Sequence, residues 1–292
     1  MLLFYIIIGV ILGKNGLEDT GLDSFSLLLT NIALPCAILN SFQVPFTKEN
    51  ALLFAKTIVI ALLFFFGLFL LSILSANVLR IPSQKRNVWI GCGTFSSVLF
   101  IGIPIVEALF GSKGLIVLVA LNTIGNIFLF GFGESIFAGR LLVNIKHIFR
   151  SPAILAALLG LLFFVVGFSL PDVLLVPIQN LAGFTSPLSM IINGALLSKT
   201  LSLKLFTNKD TLLFCFVRLI IFPIVIFFIF NLFIRDPFFM KLIILVACMP
   251  SGAVNSVFAE KYNSQGSLAS NYIIVSTLCC IVTIPLMFSL LF

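Results

Sequence analysis

The chain has 292 residues, of which 61% are hydrophobic and only 9% are charged, and its mean hydropathy is +1.26. A soluble domain carries about 25% charged residues, so this composition excludes an ordinary soluble protein and predicts an all-α polytopic membrane protein. The formal net charge of +7 does not indicate a nucleic-acid partner. The basic residues are scattered through short loops, as they are on the cytoplasmic side of membrane proteins.

Apolar runs separated by polar residues predict ten membrane-spanning segments. Their approximate bounds are 1–13, 24–43, 51–76, 87–110, 115–138, 152–169, 177–198, 210–233, 238–260 and 268–291. The first run, Leu2 to Leu12, is short for a span, but it lacks the basic start and the cleavage site of a signal peptide. Most lysines and arginines fall in the loops that are inside if the N-terminus is outside, which predicts a multi-pass protein with both termini outside.

Prolines and glycines interrupt these segments at corresponding places. Segment two contains Pro35 and segment seven contains Pro187, while segment four contains Gly102-Ile103-Pro104 and segment nine contains Pro250-Ser251-Gly252. The interval between matching positions is nearly the same for both pairs. We therefore predict two five-helix halves, the second inserted upside down, with broken helices four and nine. Broken helices at matching positions indicate the central site of a transporter, although prolines can also simply kink packed helices.

The predicted halves are residues 1–140 and 141–292. We predict that segment four breaks at Gly102-Ile103-Pro104 and segment nine at Pro250-Ser251-Gly252, because a proline removes a backbone donor and clashes with the preceding turn. A broken helix exposes N–H groups that carry about half a positive charge and attract an anion. The candidate substrate-binding residues beside the breaks are Ser96, Ser97, Gly102, Pro104, Pro250, Ser251, Gly252 and Asn255.

Other polar residues inside the apolar segments are further candidates. Asn122 and Asn126 lie one turn apart on the same face of segment five, where they either line a cavity or bond a neighbouring helix. Intramembrane ionisable residues are functional candidates, and Glu134 is the best candidate for proton coupling, with a solvated helix end as its alternative. Arg218 is the second coupling candidate. It could pair with an acid, attract substrate or snorkel to the cytoplasmic headgroups, and its inner position favours snorkelling.

The positions of the cysteines and of the single histidine indicate whether the chain could bind a metal or a cofactor. All six cysteines lie in apolar segments without metal-ligand spacing, so we interpret them as small hydrophobic residues. His147 is the only histidine, which excludes a histidine metal cluster and a conventional His-based triad. The sequence therefore predicts no metal, no cofactor and no enzymatic activity.

Several stretches resemble the auxin efflux carrier family, which includes the plant auxin exporters and bacterial malate or malonate permeases. The resemblance runs nearly end to end. The stretches that carry it are "LLLTNIALPCAILNSF" (Leu27 to Phe42), "GIPIVEALFG" (Gly102 to Gly111), "RLIIFP" (Arg218 to Pro223), "MPSGAVNSVFAEKYN" (Met249 to Asn263) and "STLCCIVTIPL" (Ser276 to Leu286).

The resemblance implies that broken helices four and nine cross near the middle of the membrane. It also implies a mobile crossover domain of helices 3–5 and 8–10, a scaffold of helices 1, 2, 6 and 7, and a homodimer. Ser97 departs from the family, whose members usually have Asn seven residues before the GIP proline, and Ala153 replaces an Asn of the plant exporters. Serine has one donor where an amide has two, which argues against indole acetic acid itself as the substrate.

We therefore predict a secondary transporter of a small organic anion, such as a dicarboxylate or an auxin-like acid, in the cell membrane. The alternative is a sodium- or proton-coupled symporter or antiporter of the related crossed-helix fold. No Asp or Glu lies between Cys92 and Ile105 or between Ala247 and Val257, which argues against an inorganic cation as the transported species. The chain lacks the Ser/His or paired-Asp arrangement that a membrane protease would need. It also lacks a ring of charged residues of the kind that lines a channel.

Overall fold

The computed structural model describes residues 2–17, 19–43, 46–140, 152–200, 208–252 and 254–292. These residues form helices and loops, together with one isolated antiparallel β-bridge between Ser96 and Ser251. In chain order the α-helices are α1 (Leu2–Lys14), α2 (Asp19–Leu28), α3 (Leu34–Ser41), α4 (Lys48–Val78), α5 (Ser83–Thr94), α6 (Val98–Phe128), α7 (Glu134–Ala138), α8 (Pro152–Val166), α9 (Asp172–Gly183), α10 (Thr185–Thr200), α11 (Lys209–Phe216), α12 (Phe222–Asn231), α13 (Pro237–Ala247), α14 (Val254–Lys261) and α15 (Gly266–Leu291).

Several stretches of the described residues are long and apolar enough to cross a membrane. They are Thr20–Ser41, Lys48–Val78, Lys113–Ala138, Lys209–Asn231 and Gly266–Leu291. Shorter apolar helices lie at Phe4–Lys14, Ile101–Gly111, Pro152–Val166 and Pro237–Ala247. The prediction of an all-helical membrane protein with several spans is confirmed, whereas the count of ten spans and the inverted repeats stay predictions.

The outer face of α4 illustrates why these helices suit a lipid environment. Phe66, Leu70 and Leu74 recur every four residues and are 53%, 49% and 56% exposed. Phe65 and Leu68, on the opposite face of the same helix, are buried. A helix with apolar residues on both its buried and its exposed face is typical of a membrane span, because lipid tails replace water on the outer side.

One predicted boundary agrees with the structure and another differs. The predicted end of segment four and start of segment five flank Gly111, where non-helical backbone angles of φ 60° and ψ −156° divide α6 into two helices. Glycine reaches this positive φ without the steric cost that a Cβ would add. Predicted segment seven is split between α9 and α10, and Phe184 lies between the two helices.

The chain divides into two compact units. Unit 1 comprises Met1–Val59, Leu99–Asn126 and Ile145–Leu201. Its α1 and α10 pack closely enough for their backbones to touch: a Cβ added to Gly9 would lie 2.1 Å from the carbonyl oxygen of Ile191, and one added to Gly194 would lie 2.1 Å from that of Ile6. Small residues permit this close approach, a common way of packing helices in membranes.

Unit 2 comprises Ile60–Val98, Ile127–Asn144 and Ser202–Phe292. Trp89 of α5 packs edge-on against Phe214 and Tyr272, and the latter two rings stack with their centroids 4.0 Å apart. An ion pair between Lys85 and Asp210 joins the starts of α5 and α11. These contacts fix α5, and with it the residues that follow its C-terminus.

Three π-helical turns widen helices within the described residues, at Leu29–Ala33, Leu129–Gly133 and Val217–Ile221. Two of them precede Pro35 and Pro223, whose rings would clash with the carbonyl four residues earlier in a regular helix. Such turns often lie at functional sites. Here the third contains Arg218 and the second directly precedes Glu134.

Candidate functional site

Two unwound segments of unit 2 pair with each other. Phe95–Ser97 separates α5 from α6, and Cys248–Gly252 follows α13 before α14 begins at Val254. The N–H of Ser97 donates to the carbonyl of Pro250 (2.8 Å), and the N–H of Gly252 donates to the carbonyl of Phe95 (2.9 Å). We call the two segments the junction. Each satisfies peptide groups of the other, as unwound backbone at membrane depth requires.

The predicted location of the break in segment four is wrong. Gly102 and Pro104 lie inside α6, and the helix is instead interrupted seven residues earlier, between Thr94 and Val98. Pro104 removes one backbone donor, which a helix tolerates with a local distortion. A complete break needs partners for several peptide groups, and Phe95 and Ser97 find such partners in Gly252 and Pro250. The predicted break in segment nine at Pro250-Ser251-Gly252 does lie between two helices.

Side chains of the junction satisfy the end of α5. The hydroxyl of Ser251 donates to the carbonyl of Cys92 (2.8 Å), and the N–H of Ser251 donates to the hydroxyl of Ser276 (3.2 Å). Gly252 permits a close backbone approach, since a Cβ there would lie 3.3 Å from the carbonyl oxygen of Ser96. Small residues therefore keep the two segments in register.

Asn255, in the first turn of α14, connects the two segments. Its side-chain NH₂ group donates to the carbonyl of Phe95 (2.9 Å) and to the hydroxyl of Ser251 (3.1 Å). The residue is fully buried, and its side-chain oxygen has no hydrogen-bond partner among the residues that the structure describes. A buried amide oxygen without a donor costs about 1–3 kcal/mol, so this atom is a candidate for a ligand contact.

Arg218 reaches the junction from the third π-helical turn. Its guanidinium donates to the carbonyl of Ala247, the last residue of α13 (2.6 Å), and to the hydroxyl of Ser96. The side chain is fully buried, and its Nε has no hydrogen-bond partner in the described part of the chain. The prediction that Arg218 snorkels to the headgroups is therefore wrong, because the guanidinium turns inward to the exposed carbonyl end of a broken helix.

The charge of Arg218 is only partly balanced. The ion pairs formed by the described residues do not include Arg218. Burying an ion costs several kcal/mol even after the protein relaxes, whereas a cation at a helix C-terminus gains about 0.3–1 kcal/mol, and up to about 2 kcal/mol when partly buried. The ring of Phe222, whose centroid lies 5.9 Å from the guanidinium carbon, adds a cation–π contact. Both the ring and the end of α13 are neutral overall, so the junction keeps an excess of positive charge.

Glu134 lies in a second polar cluster of unit 2. It is buried rather than solvated, and its carboxylate accepts from Lys261 (3.1 Å) and from the hydroxyl of Tyr262 (2.9 Å). Lys261 ends α14, outside the candidate spans. The hydrogen bond to Glu134 raises the pKa of Lys261 above its usual value, so the lysine stays charged at physiological pH. The cluster fixes the end of α14 opposite to Asn255.

The remaining predicted residues lie elsewhere. Gly102, Pro104, Asn122 and Asn126 belong to unit 1. Asn122 is buried, and its side-chain nitrogen has no hydrogen-bond partner within the described ranges, while Asn126 is half-buried. His147 lies outside the described residues. Within unit 2, the junction brings together the other predicted residues, which are Ser96, Ser97, Pro250, Ser251, Gly252, Asn255 and Arg218.

Sequence reasoning missed three contributors to these clusters. Ser276 bonds the backbone of Ser251, and Lys261 and Tyr262 bond Glu134. Ser276 resembles any serine of an apolar helix, so no local pattern distinguished it. Lys261 and Tyr262 follow the break in segment nine by about two turns, a spacing that could have placed them at the far end of the same half-helix.

A family model described as membrane transport protein matches residues 1–142 and 134–288 of the chain. Between them the two matches cover nearly the whole sequence, including both segments of the junction. No curated protein matches the chain.

Proposed function

Because the chain belongs to the membrane transport protein family, that of the auxin efflux carriers, we propose that it is a secondary transporter of a small organic anion that works by alternating access. The observation that carries this proposal is the junction, where two unwound segments pair beside a fully buried arginine. An anion bound there would balance charge that the protein leaves unbalanced.

The proposed binding residues are those that surround the junction. The first N–H groups of α6 and α14 supply partial positive charge, and the hydroxyls of Ser96 and Ser97 supply donors. The free side-chain oxygen of Asn255 would accept a hydrogen bond from a donor group elsewhere on the solute. Pro250, Ser251 and Gly252 would let the substrate approach the backbone closely. A carboxylate is the anion that suits this set, since it accepts several hydrogen bonds from backbone and hydroxyl donors.

Residues of unit 1 extend the proposal. Asn122 is buried with an unpartnered amide nitrogen, which suits a contact to a polar solute. We propose that Asn122, Asn126, Gly102 and Pro104 line the substrate pathway. We further propose that the protein is a homodimer in the cell membrane with both termini outside.

A second candidate function is an ion-coupled symporter or antiporter of the same crossed-helix type. The observation that favours it is Glu134, a buried carboxylate paired with Lys261 at the end of the half-helix α14. Proton binding to Glu134 would break this ion pair and release that end of α14. The candidate differs from uncoupled transport in one respect: flux would depend on a pH gradient through Glu134.

Uptake into proteoliposomes tests the proposal. Radiolabelled dicarboxylates and indole acids would be offered to the reconstituted protein with and without proton and sodium gradients. A transporter gives saturable flux that unlabelled substrate competes away, and Asn255→Ala should reduce it. Flux that does not saturate would instead indicate a channel, conversion of the solute would indicate an enzyme, and Asn255→Ala with unchanged flux would contradict the proposed site.

A further inference from the structure

Two side chains with full charges are buried among the described residues, and they differ in their surroundings. Glu134 is paired with Lys261, so that cluster is neutral. Arg218 is fully buried, and among the described residues its hydrogen-bond partners are neutral acceptors, the carbonyl of Ala247 and the hydroxyl of Ser96. Its guanidinium also lies over the ring of Phe222, 5.9 Å from the centroid, and its Nε has no hydrogen-bond partner among these residues. Arg218 therefore brings a positive charge to the junction without a negative charge to match it.

The helix ends at the junction do not supply that negative charge. The C-termini of α5 and α13 each carry about half a negative charge, and the N-termini of α6 and α14 each carry about half a positive charge. These partial charges sum to about zero. A symmetric junction of broken helices would therefore have no preference for the sign of a solute, and Arg218 breaks this balance because it lies at only one of the two C-terminal ends.

We propose that Arg218 is the specificity-determining residue of the junction and that it makes the site select a solute with one negative charge. This inference rests on the proposed function and names the charge of its substrate. One carboxylate neutralises the guanidinium, whereas a neutral isostere leaves the cation unbalanced. A second carboxylate at the junction would itself be buried without a counter-charge.

Arg218 also holds two groups of the junction in position. It holds the hydroxyl of Ser96 and the last carbonyl of α13, so its fork spans both halves of the junction. A lysine would keep the charge but not the planar fork. The two roles can therefore be separated, because Arg218→Lys tests geometry while Arg218→Gln tests charge.

The test compares isosteric solutes that differ only in charge. Full-length protein in detergent would be melted with a thiol-reactive dye as reporter, since Cys92, Cys215, Cys248 and Cys280 are buried. The probes are butyrate, butyramide and succinate, together with indole-3-acetate and indole-3-acetamide. A solute that binds the folded protein raises the melting temperature in proportion to its saturation. We expect the wild type to respond to a monocarboxylate at a concentration at least about tenfold lower than to its amide or to succinate.

Variants then assign the preference to Arg218. Arg218→Gln should respond alike to carboxylate and amide, and Arg218→Lys should keep part of the difference. Ser96→Asp places a carboxylate beside the guanidinium, so it should melt no lower than the wild type and lose the response to monocarboxylates. The matched control is Thr211→Val in the same apolar stretch, because Thr211 is fully buried and its hydroxyl has no partner. It should keep the wild-type preference.

The outcomes separate the two proposals. A folded Arg218→Gln variant that keeps the wild-type preference contradicts the role of Arg218, as does a Ser96→Asp variant that still responds to butyrate or indole-3-acetate. The response of Ser96→Asp tests the role of Arg218 even if Arg218→Gln does not fold. A wild type that binds amides as well as carboxylates also contradicts the inference and leaves transport itself intact. A wild type that responds to no probe and takes up no organic anion contradicts the proposed function.

Discussion

The side-chain amide of Asn255 donates to the carbonyl of Phe95 over 2.9 Å, so a residue of α14 holds the first unwound residue after α5. Asn255→Ala removes one hydrogen bond to the buried carbonyl of Phe95 and one to the hydroxyl of Ser251. We expect it to lower the free energy of unfolding by about 1–3 kcal/mol and to reduce saturable uptake, measured by melting in detergent and flux in proteoliposomes. Asn231→Ala, at an exposed helix end, is the control, and an Asn255→Ala protein as stable as the wild type would contradict this role.

Gly252 sets the distance between the two segments of the junction. A methyl group there would lie 3.3 Å from the carbonyl oxygen of Ser96, which is backbone and can move little. We expect Gly252→Ala to lower the melting temperature slightly and Gly252→Val to lower it by several degrees, with loss of flux in both. Gly183→Ala is the matched control, because a Cβ at that helical position meets nothing within 4 Å. Equal melting temperatures for Gly252→Val and Gly183→Ala would show that the segments are not held this closely.

The Glu134–Lys261 pair provides a test of proton coupling. Glu134→Gln removes the charge but keeps a side chain that Tyr262 can still bond. If Glu134 carries the coupled proton, uptake by this variant should lose its dependence on a pH gradient, whereas the wild type should retain it. The control pair is Glu49 and Lys113, which is largely exposed, so Glu49→Gln should leave the pH dependence and the stability unchanged. Gradient-dependent uptake by Glu134→Gln would exclude this residue from coupling.

The contribution of the Glu134–Lys261 pair to the stability of the protein can be measured separately from transport. A double-mutant cycle of Glu134→Gln and Lys261→Met isolates the interaction of the two side chains. Because Lys261 is about half exposed and Glu134 is buried, we expect a coupling of about 1 kcal/mol, above the usual value for an exposed pair. A coupling indistinguishable from that of Glu49 and Lys113 would mean that the pair does not hold α14 in place.

Close packing of α1 on α10 predicts a strong effect in unit 1. A side chain at Gly9 would collide with the backbone of Ile191, and backbone cannot move aside without separating the helices. We expect Gly9→Val to prevent recovery of a monodisperse protein by size-exclusion chromatography. Ile11→Ala on the same helix, where the isoleucine is 51% exposed, should have little effect. Normal recovery of Gly9→Val would contradict the packing of these two helices.

Local sequence patterns were sufficient for the class of the fold. Long apolar runs require helices in a membrane because every backbone group must find its partner within the segment, and the structure has apolar helices in these runs. The pattern also identified Pro250-Ser251-Gly252 as a break, since proline and glycine together remove helical support there. At Gly102 and Pro104 the same combination did not end the helix, because unwound backbone persists where its peptide groups find partners, as those of Phe95 and Ser97 do at Gly252 and Pro250.

The sequence by itself thus determined a helical membrane protein with an interrupted ninth segment. It also identified two intramembrane ionisable residues, Glu134 and Arg218, as functional candidates. Only the tertiary structure decided that segment four unwinds at Phe95–Ser97, that Arg218 turns inward to Ala247 and Ser96, and that Glu134 is paired. The physical reason is that each of these features depends on a partner more than 25 residues away along the chain. Unwound backbone and buried charge are tolerated only where such a partner is present, and nothing in the neighbouring residues records it.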